Sequence, residues 1–376
     1  MSRRWWVVLV LTCLVALSLK LWLALTTDGA DDISLWESFA AHIRECGACV
    51  YQTGGLMQIP NGTRFNPFNH PPFIIHVIRL ISYLTDLTGV PLRIILRVST
   101  SIVDVGSAFL LFGILRREGL FTPSRLLLYL LAPATIIISG HHGNTDTVMI
   151  FFVLLVVYLL VSSRPVWLAG LVLGMALSIK IVPVIFIPAL LFYLPTYRKR
   201  FDLLAGATAM FLIVSIPYLF EHPVMIAREV LGYRGSPGRW GLSLALYAYF
   251  NDSPIFMLSL RVLTVALLGL IVWFAYQNNR KTKVPLILQL GLTVFAFISF
   301  TPAWGTNYMA WLDPFAAALG VFPALIYYVA SGVLLDYLYF IRDDESTRLM
   351  GLCWIAVLVV TWLFIRRIKH ERHSRP

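Results

Sequence analysis

Long apolar runs, many of them closed by arginine or lysine, follow one another along almost the whole of this sequence. They lie at about 5–25, 93–115, 125–140, 147–162, 166–179, 181–195, 201–219, 254–277, 284–301, 308–321, 323–341 and 348–366. A helix needs about 20 mostly apolar residues to cross the hydrocarbon of a bilayer. Inside lipid, every backbone N–H and C=O must be bonded within the protein. A chain built this way folds as an all-α polytopic membrane protein with about 12 transmembrane helices. Composition agrees: 59% of the 376 residues are hydrophobic and 13% charged, against about 45–50% and about 25% in soluble domains. Those figures exclude disordered, collagen-like and small disulfide-rich chains. They leave one integral membrane domain over 1–376, with no sizeable soluble part.

The net charge of +11 comes from 30 Lys and Arg against 19 Asp and Glu. The basic residues gather at the ends of runs: Arg3-Arg4, Arg116-Arg117, Arg198-Lys199-Arg200, Arg280-Lys281-Lys283 and Arg366-Arg367-Lys369. This is the positive-inside pattern of membrane proteins rather than a nucleic-acid surface. It places both termini in the cytoplasm, with a first outer loop over 26–92 and a second over 220–253. The segment 71–88 is apolar at helical spacing but carries His76, Arg79 and Asp86. It reads as an amphipathic helix on the outer membrane surface; as a span it would reverse the charge agreement of every later loop. The first run reads as a span rather than a signal peptide, because it lacks a small-x-small site and carries Lys20 and Trp22 near its end. Cys46 and Cys49 form a C-x-x-C that suits either a local disulfide or two thiols, and Asn61-Gly62-Thr63 is a glycosylation sequon.

Ionisable residues at the membrane edge are costly and mark candidate sites. The topology gathers many on the outer side: Asp31-Asp32 after the first span, His141, His142, Asn144 and Asp146 between the third and fourth, and Lys180 between two short runs. Arg228, Arg234 and Arg239 lie in the second outer loop, and Trp304, Asn307 and Tyr308 before the tenth span. Asp104 lies inside the second span. Such a set suits transfer of a sugar from a phosphorylated lipid to a hydroxyl. A carboxylate takes the acceptor proton, and Lys and Arg stabilise the departing phosphate. No metal or cofactor is required.

Six stretches in order resemble the GT-C superfamily of polyprenyl-phosphate-sugar-dependent glycosyltransferases, which includes the dolichol-linked-oligosaccharide glucosyltransferases, the first GPI mannosyltransferase and bacterial polyprenyl-phosphate-mannose mannosyltransferases. They are Asp31-Asp32-Ile33 with Trp36; Asn69-His70-Pro71-Pro72-Phe73, with His70 where Tyr is usual; Arg97 to Asp104; His142-Gly143-Asn144-Thr145-Asp146; Ser178-Ile179-Lys180 ahead of Pro183 and Pro188; and Thr301-Pro302 through Asn307, Tyr308 and Trp311, with Asn307 where Gln is common. The resemblance implies a GT-C-like fold and an inverting hexosyltransferase, with mannose favoured over glucose. The donor is a polyprenyl- or dolichyl-phosphate hexose and the acceptor a membrane-anchored glycan or lipid. The site faces outside a bacterial plasma membrane or into the ER lumen.

The resemblance also assigns roles. Asp32, with Asp31 as runner-up, is the base, and the other of the two caps the helix that follows. Lys180, His142, Asn144, His70, Arg234, Arg239, Tyr308 and Trp304 bind the donor phosphate or line the pocket. Asp146 caps the fourth span, and Asp104 supports the site by pairing with Arg97 or Arg93. The competing reading is a twelve-helix secondary transporter or flippase. Against it stand the absence of a repeated half and the gathering of polar residues at one face rather than at the midplane.

Overall fold

The computed structural model describes residues 3–59, 62–232, 235–251, 253–279, 284–341 and 346–374. Arg234, Asn61 of the sequon, Arg280-Lys281-Lys283 and Asp343-Asp344-Glu345 lie outside the described residues.

Seven helices are long and apolar enough to cross a membrane: Trp5–Thr26, Leu92–Arg117, Pro123–His142, Tyr197–Leu219, Pro254–Asn279, Val321–Ile341 and Ser346–Arg372. Shorter apolar helices occupy Asp146–Val161, Val166–Ile179, Val182–Tyr193, Gly241–Phe250 and Leu286–Phe300. The chain is thus an all-α polytopic membrane protein. The expected span at 308–321 is broken. Residues 308–321 form a 3-10 turn, Thr306–Trp311, and a separate seven-residue helix, Asp313–Leu319. The proline beside Asp313 fits only the first turn of a helix, and Gly320 at φ 151° closes the other end. The segment 220–253, expected as a second outer loop, holds the helices Pro223–Leu231 and Gly241–Phe250.

The chain divides into two compact units. The first comprises Met1–Leu110, Thr135–Pro183 and Phe201–Tyr233. Its expected first outer loop is mostly regular structure. Helix Asp32–Cys46 buries Ile33, Trp36, Phe39, Ala40 and Ile43, a stripe at helical spacing. It packs against the antiparallel strands Gly55–Ile59 and Gly62–Asn66, with Leu56 opposite Phe65 and Met57 opposite Arg64. Ser38 and Ser34 on that helix accept the Leu56 and Gln58 backbone N–H at 2.9 and 2.8 Å, which satisfies the free edge of the hairpin.

Helix Phe73–Thr88 starts behind Pro71-Pro72 and stops at Gly89, whose φ of 70° is left-handed. It buries Ile74, Ile75, Ile78 and Ile81 and exposes Leu80, Tyr83 and Leu87. It is therefore two-faced, as its sequence pattern requires. Deeper in the unit, Asp146–Val161 packs against Val166–Ile179. The latter meets the Tyr197–Leu219 helix through Gly170, Gly174 and Gly206, where any Cβ would strike facing backbone. Small residues four apart allow this close crossing within a membrane.

The second unit comprises Leu111–Ala134, Val184–Arg200 and Arg234–Pro376. Helix Leu286–Phe300 is buried on nearly every side and packs against the Pro254–Asn279 and Ser346–Ser374 helices. Glu118 accepts the N–H groups of Leu286 and Ile287, placing a carboxylate at that helix's positive end. Strand Ser236–Pro237 pairs with Ala303–Trp304. Trp240 and Trp304 stack at 4.9 Å with their planes 4° apart.

Candidate active site

The first unit brings together five of the residues singled out in the sequence: Asp32, His142, Asn144, Asp146 and Lys180. Asp32 is the first residue of helix Asp32–Cys46. The opposing turn is a π-helical coil, Ile138–His142, that ends at Gly143 with φ 74°. A Cβ on Gly143 would fall 2.6 Å from Ile33 and 2.9 Å from Arg97, so glycine is needed for the two segments to meet. Across this contact His142 Nε2 donates to Asp32 Oδ2 at 3.0 Å, and Asn144 Nδ2 donates to the same oxygen at 3.3 Å. Asn144 is itself fixed, since its Oδ1 accepts the Thr145 backbone N–H at 2.7 Å. The Asp32 side chain is 32% exposed while His142 is 5% exposed, so the carboxylate is reachable and the imidazole is not.

Burial pushes the Asp32 carboxyl up. The charge and hydrogen bond of His142, then the charges of Lys180 and His70, pull it down further, and it settles below the ordinary carboxylate range.

Lys180 follows the last residue of helix Val166–Ile179. There the backbone turns extended (φ −146°, ψ 147°), which ends the helix. Its ammonium bonds both carboxylate oxygens of Asp146 at 2.8 Å. Asp146 is fully buried and Lys180 is 14% exposed. Asp146 is thus the counter-ion of Lys180, and the N-cap position expected for it belongs to Thr145.

Asp31 occupies the N-cap position of its helix, but its side chain makes no capping bond, contrary to the expected division of labour. His70 packs on Trp36 with ring centroids 4.8 Å apart, and its carbonyl accepts the Tyr51 hydroxyl at 2.7 Å. Burial and then the Lys180 charge pull its imidazole down to about 3, against Asp146, Asp32 and a hydrogen bond to the Ile179 backbone. His70 thus stacks on Trp36 beside the site, where burial disfavours its charged form.

Asp104 does not pair with Arg97 or Arg93. Its partner is Lys20, at 2.8 Å, and both side chains are nearly fully buried. Arg97 instead donates to the Thr27 carbonyl and hydroxyl at 3.0 and 3.1 Å, and Arg93 lies 3.4 Å from Asp28. Sequence reasoning treated Lys20 only as an argument against a signal peptide. A lysine inside an apolar run was the signal that a buried partner existed.

Trp304, Tyr308 and Arg239 belong to the second unit. There Trp304 is buried, Tyr308 stacks on Trp311 at 4.1 Å, and Arg239 is exposed. Cys46 and Cys49 are paired, with Cα atoms 5.6 Å apart. Among the described residues no group of three or more His, Cys, Asp or Glu is gathered as metal ligands would be.

Residues 138–227 match the family model described as Mannosyltransferase (PIG-M). A search of curated proteins found no match. Among solved structures the chain is similar to ArnT from Cupriavidus metallidurans bound to undecaprenyl phosphate, at 14% identity and a TM-score of 0.44, over 100% of this chain and 79% of that one. The matched segment carries His142, Asn144, Asp146 and Lys180, four of the five residues gathered in the first unit.

Proposed function

We propose that the protein is an inverting glycosyltransferase that moves a hexose, mannose before glucose, from a polyprenyl- or dolichyl-phosphate to a hydroxyl of a membrane-anchored glycan or lipid. The observation that carries this reading is a reachable carboxylate, Asp32, held by His142 and Asn144 and sensing the Lys180 cation. In this reading Asp32 accepts the proton of the acceptor hydroxyl as its oxygen attacks the anomeric carbon. The bond from that carbon to the phosphate oxygen breaks, and the electron pair leaves with the polyprenyl phosphate. Lys180 follows the departing charge, loosening its hold on Asp146. The family match over 138–227 favours mannose. The charge pattern of the loops favours chemistry at the outer or lumenal face.

The pH dependence has a definite sign. A depressed Asp32 stays ionised until the pH falls below the usual carboxylate range, so wild-type kcat/KM holds flat well into acid. His142→Ala removes the two largest downward influences and leaves burial opposed by the weaker pulls of Lys180 and His70 and by the Asn144 hydrogen bond. The acid limb of kcat/KM is then expected to move to higher pH, and pH–rate profiles of the two proteins check this. An unmoved limb contradicts the assignment of Asp32 as the titrating base.

The reading is tested with purified protein in sealed liposomes, a radiolabelled polyprenyl-phosphate mannose or glucose, and native membrane lipids as acceptors. Label is expected in a new glycoside, with polyprenyl phosphate released in equal amount. Donor that crosses the bilayer chemically unchanged establishes the transporter reading instead.

A further inference from the structure

The first unit contains a second buried ionic arrangement, behind the Asp32–His142 contact. Lys20 Nζ lies 2.8 Å from Asp104 Oδ2 and donates to Ser139 Oγ at 3.0 Å. The Lys20 and Asp104 side chains are 1% and 6% exposed. Ser139 belongs to the π-helical coil Ile138–His142 that ends in His142. Its hydroxyl donates to the Thr135 carbonyl at 2.6 Å, and its own carbonyl accepts the Thr100 hydroxyl at 3.2 Å. The next residue, Gly140, lies so close to the first helix that a Cβ would sit 2.8 Å from the Lys20 carbonyl. Two neighbouring helices therefore grip one turn at Ser139-Gly140, and two residues later that turn delivers His142 to Asp32.

Stability alone does not account for this arrangement. An ion pair within apolar surroundings costs several kcal/mol per ion in desolvation, and apolar residues of similar volume often serve folding as well or better. A π-coil, in turn, holds its shape only when its surroundings over-determine it, and such coils occur often at functional sites. The pair supplies what leucines do not: a directed bond to one hydroxyl, which fixes the coil's rotation and its height along the first helix.

We propose that Lys20 and Asp104, acting through Ser139, are positioning residues that set the register of the Ile138–His142 coil and so present His142 to the Asp32 carboxylate. The inference rests on the reading of Asp32 as the base, and its test has an arm that does not need transfer at all.

In that arm, thermal unfolding is measured in detergent for wild type, for Lys20→Met/Asp104→Leu, for His142→Gln, and for the three changes combined. The paired replacement removes both charges and keeps the volume, so the protein is expected to fold. If the pair positions His142, the shifts are non-additive: His142→Gln costs less where the coil has already lost its register. Additive shifts overturn the proposal, because they mean that the pair and His142 act independently. In the second arm, transfer by Lys20→Met/Asp104→Leu is expected to fall on the order of 100-fold in kcat, as for a misplaced catalytic group, with KM little changed. Ser139→Ala is expected to fall in the same direction and Lys20→Arg to retain most of the rate. Wild-type kcat in the paired variant overturns the proposal. Non-additive unfolding together with a wild type that transfers no sugar overturns the glycosyltransferase reading and leaves the positioning intact.

Discussion

Asp32→Asn is expected to lower transfer about 100- to 10,000-fold, the range for removing a general base. Asparagine keeps an acceptor oxygen for His142 Nε2 and Asn144 Nδ2, so the contact between helix Asp32–Cys46 and the Ile138–His142 coil survives. What it loses is the capacity to take a proton. The loss therefore falls on kcat while KM changes little, the signature of an interaction needed only in the transition state. Asp31→Asn separates the neighbours. The His142 and Asn144 bonds reach the Asp32 carboxylate, so replacing Asp31 is expected to lower the rate far less. Steady-state kinetics on membranes with matched protein levels check both. A full rate in Asp32→Asn with a collapse in Asp31→Asn exchanges the two roles.

The second large effect belongs to Lys180. In the resting protein its ammonium is shared by both oxygens of a fully buried Asp146. Lys180→Ala takes the cation from that buried carboxylate, which costs about 3–5 kcal/mol in comparable pairs. It also removes a cation from the leaving group, worth about 100- to 1,000-fold in rate for a single preorganised donor. The two losses are separable. Lys180→Met/Asp146→Leu removes the buried charge along with its partner, so thermal unfolding is expected to return toward wild type while transfer stays lost. Transfer that recovers along with stability assigns Lys180 to the fold alone.

The chemistry-bearing residues were legible because each sits in a short local pattern. Asp31-Asp32, His142 to Asp146 and Lys180 before Pro183 all stand where apolar runs stop, and polar residues at such edges are expensive. Their partners were not legible. Asp104 has two arginines on its own helix, about two and three turns away, and sequence proximity assigned it to them. Lys20 reaches it from another helix, and only packing reveals which cation arrives.

Some signals were present and went unread. Pro60-Asn61-Gly62 between Leu56-Met57-Gln58-Ile59 and Thr63-Arg64-Phe65 is a turn pattern between two short strand-like runs, beyond the sequon it contains. Gly170 and Gly174, four apart in an apolar run, marked a close helix crossing. Asp313-Pro314 announced that no span runs through 308–321. Apolar periodicity gives helices and ends. It does not give the helix pairings that bring His142, Asp32 and Lys180 within electrostatic reach of one another.

The central claim is a single displacement from a lipid phosphate by an Asp32-activated hydroxyl. The most direct test is to isolate the glycoside made by the wild-type protein from a polyprenyl-phosphate hexose of known anomeric configuration, and to determine the configuration of the new bond by NMR. One displacement predicts the opposite configuration, with one polyprenyl phosphate released per glycoside. Retained configuration, or no glycoside from any polyprenyl-phosphate hexose in the presence of native acceptor lipids, contradicts it.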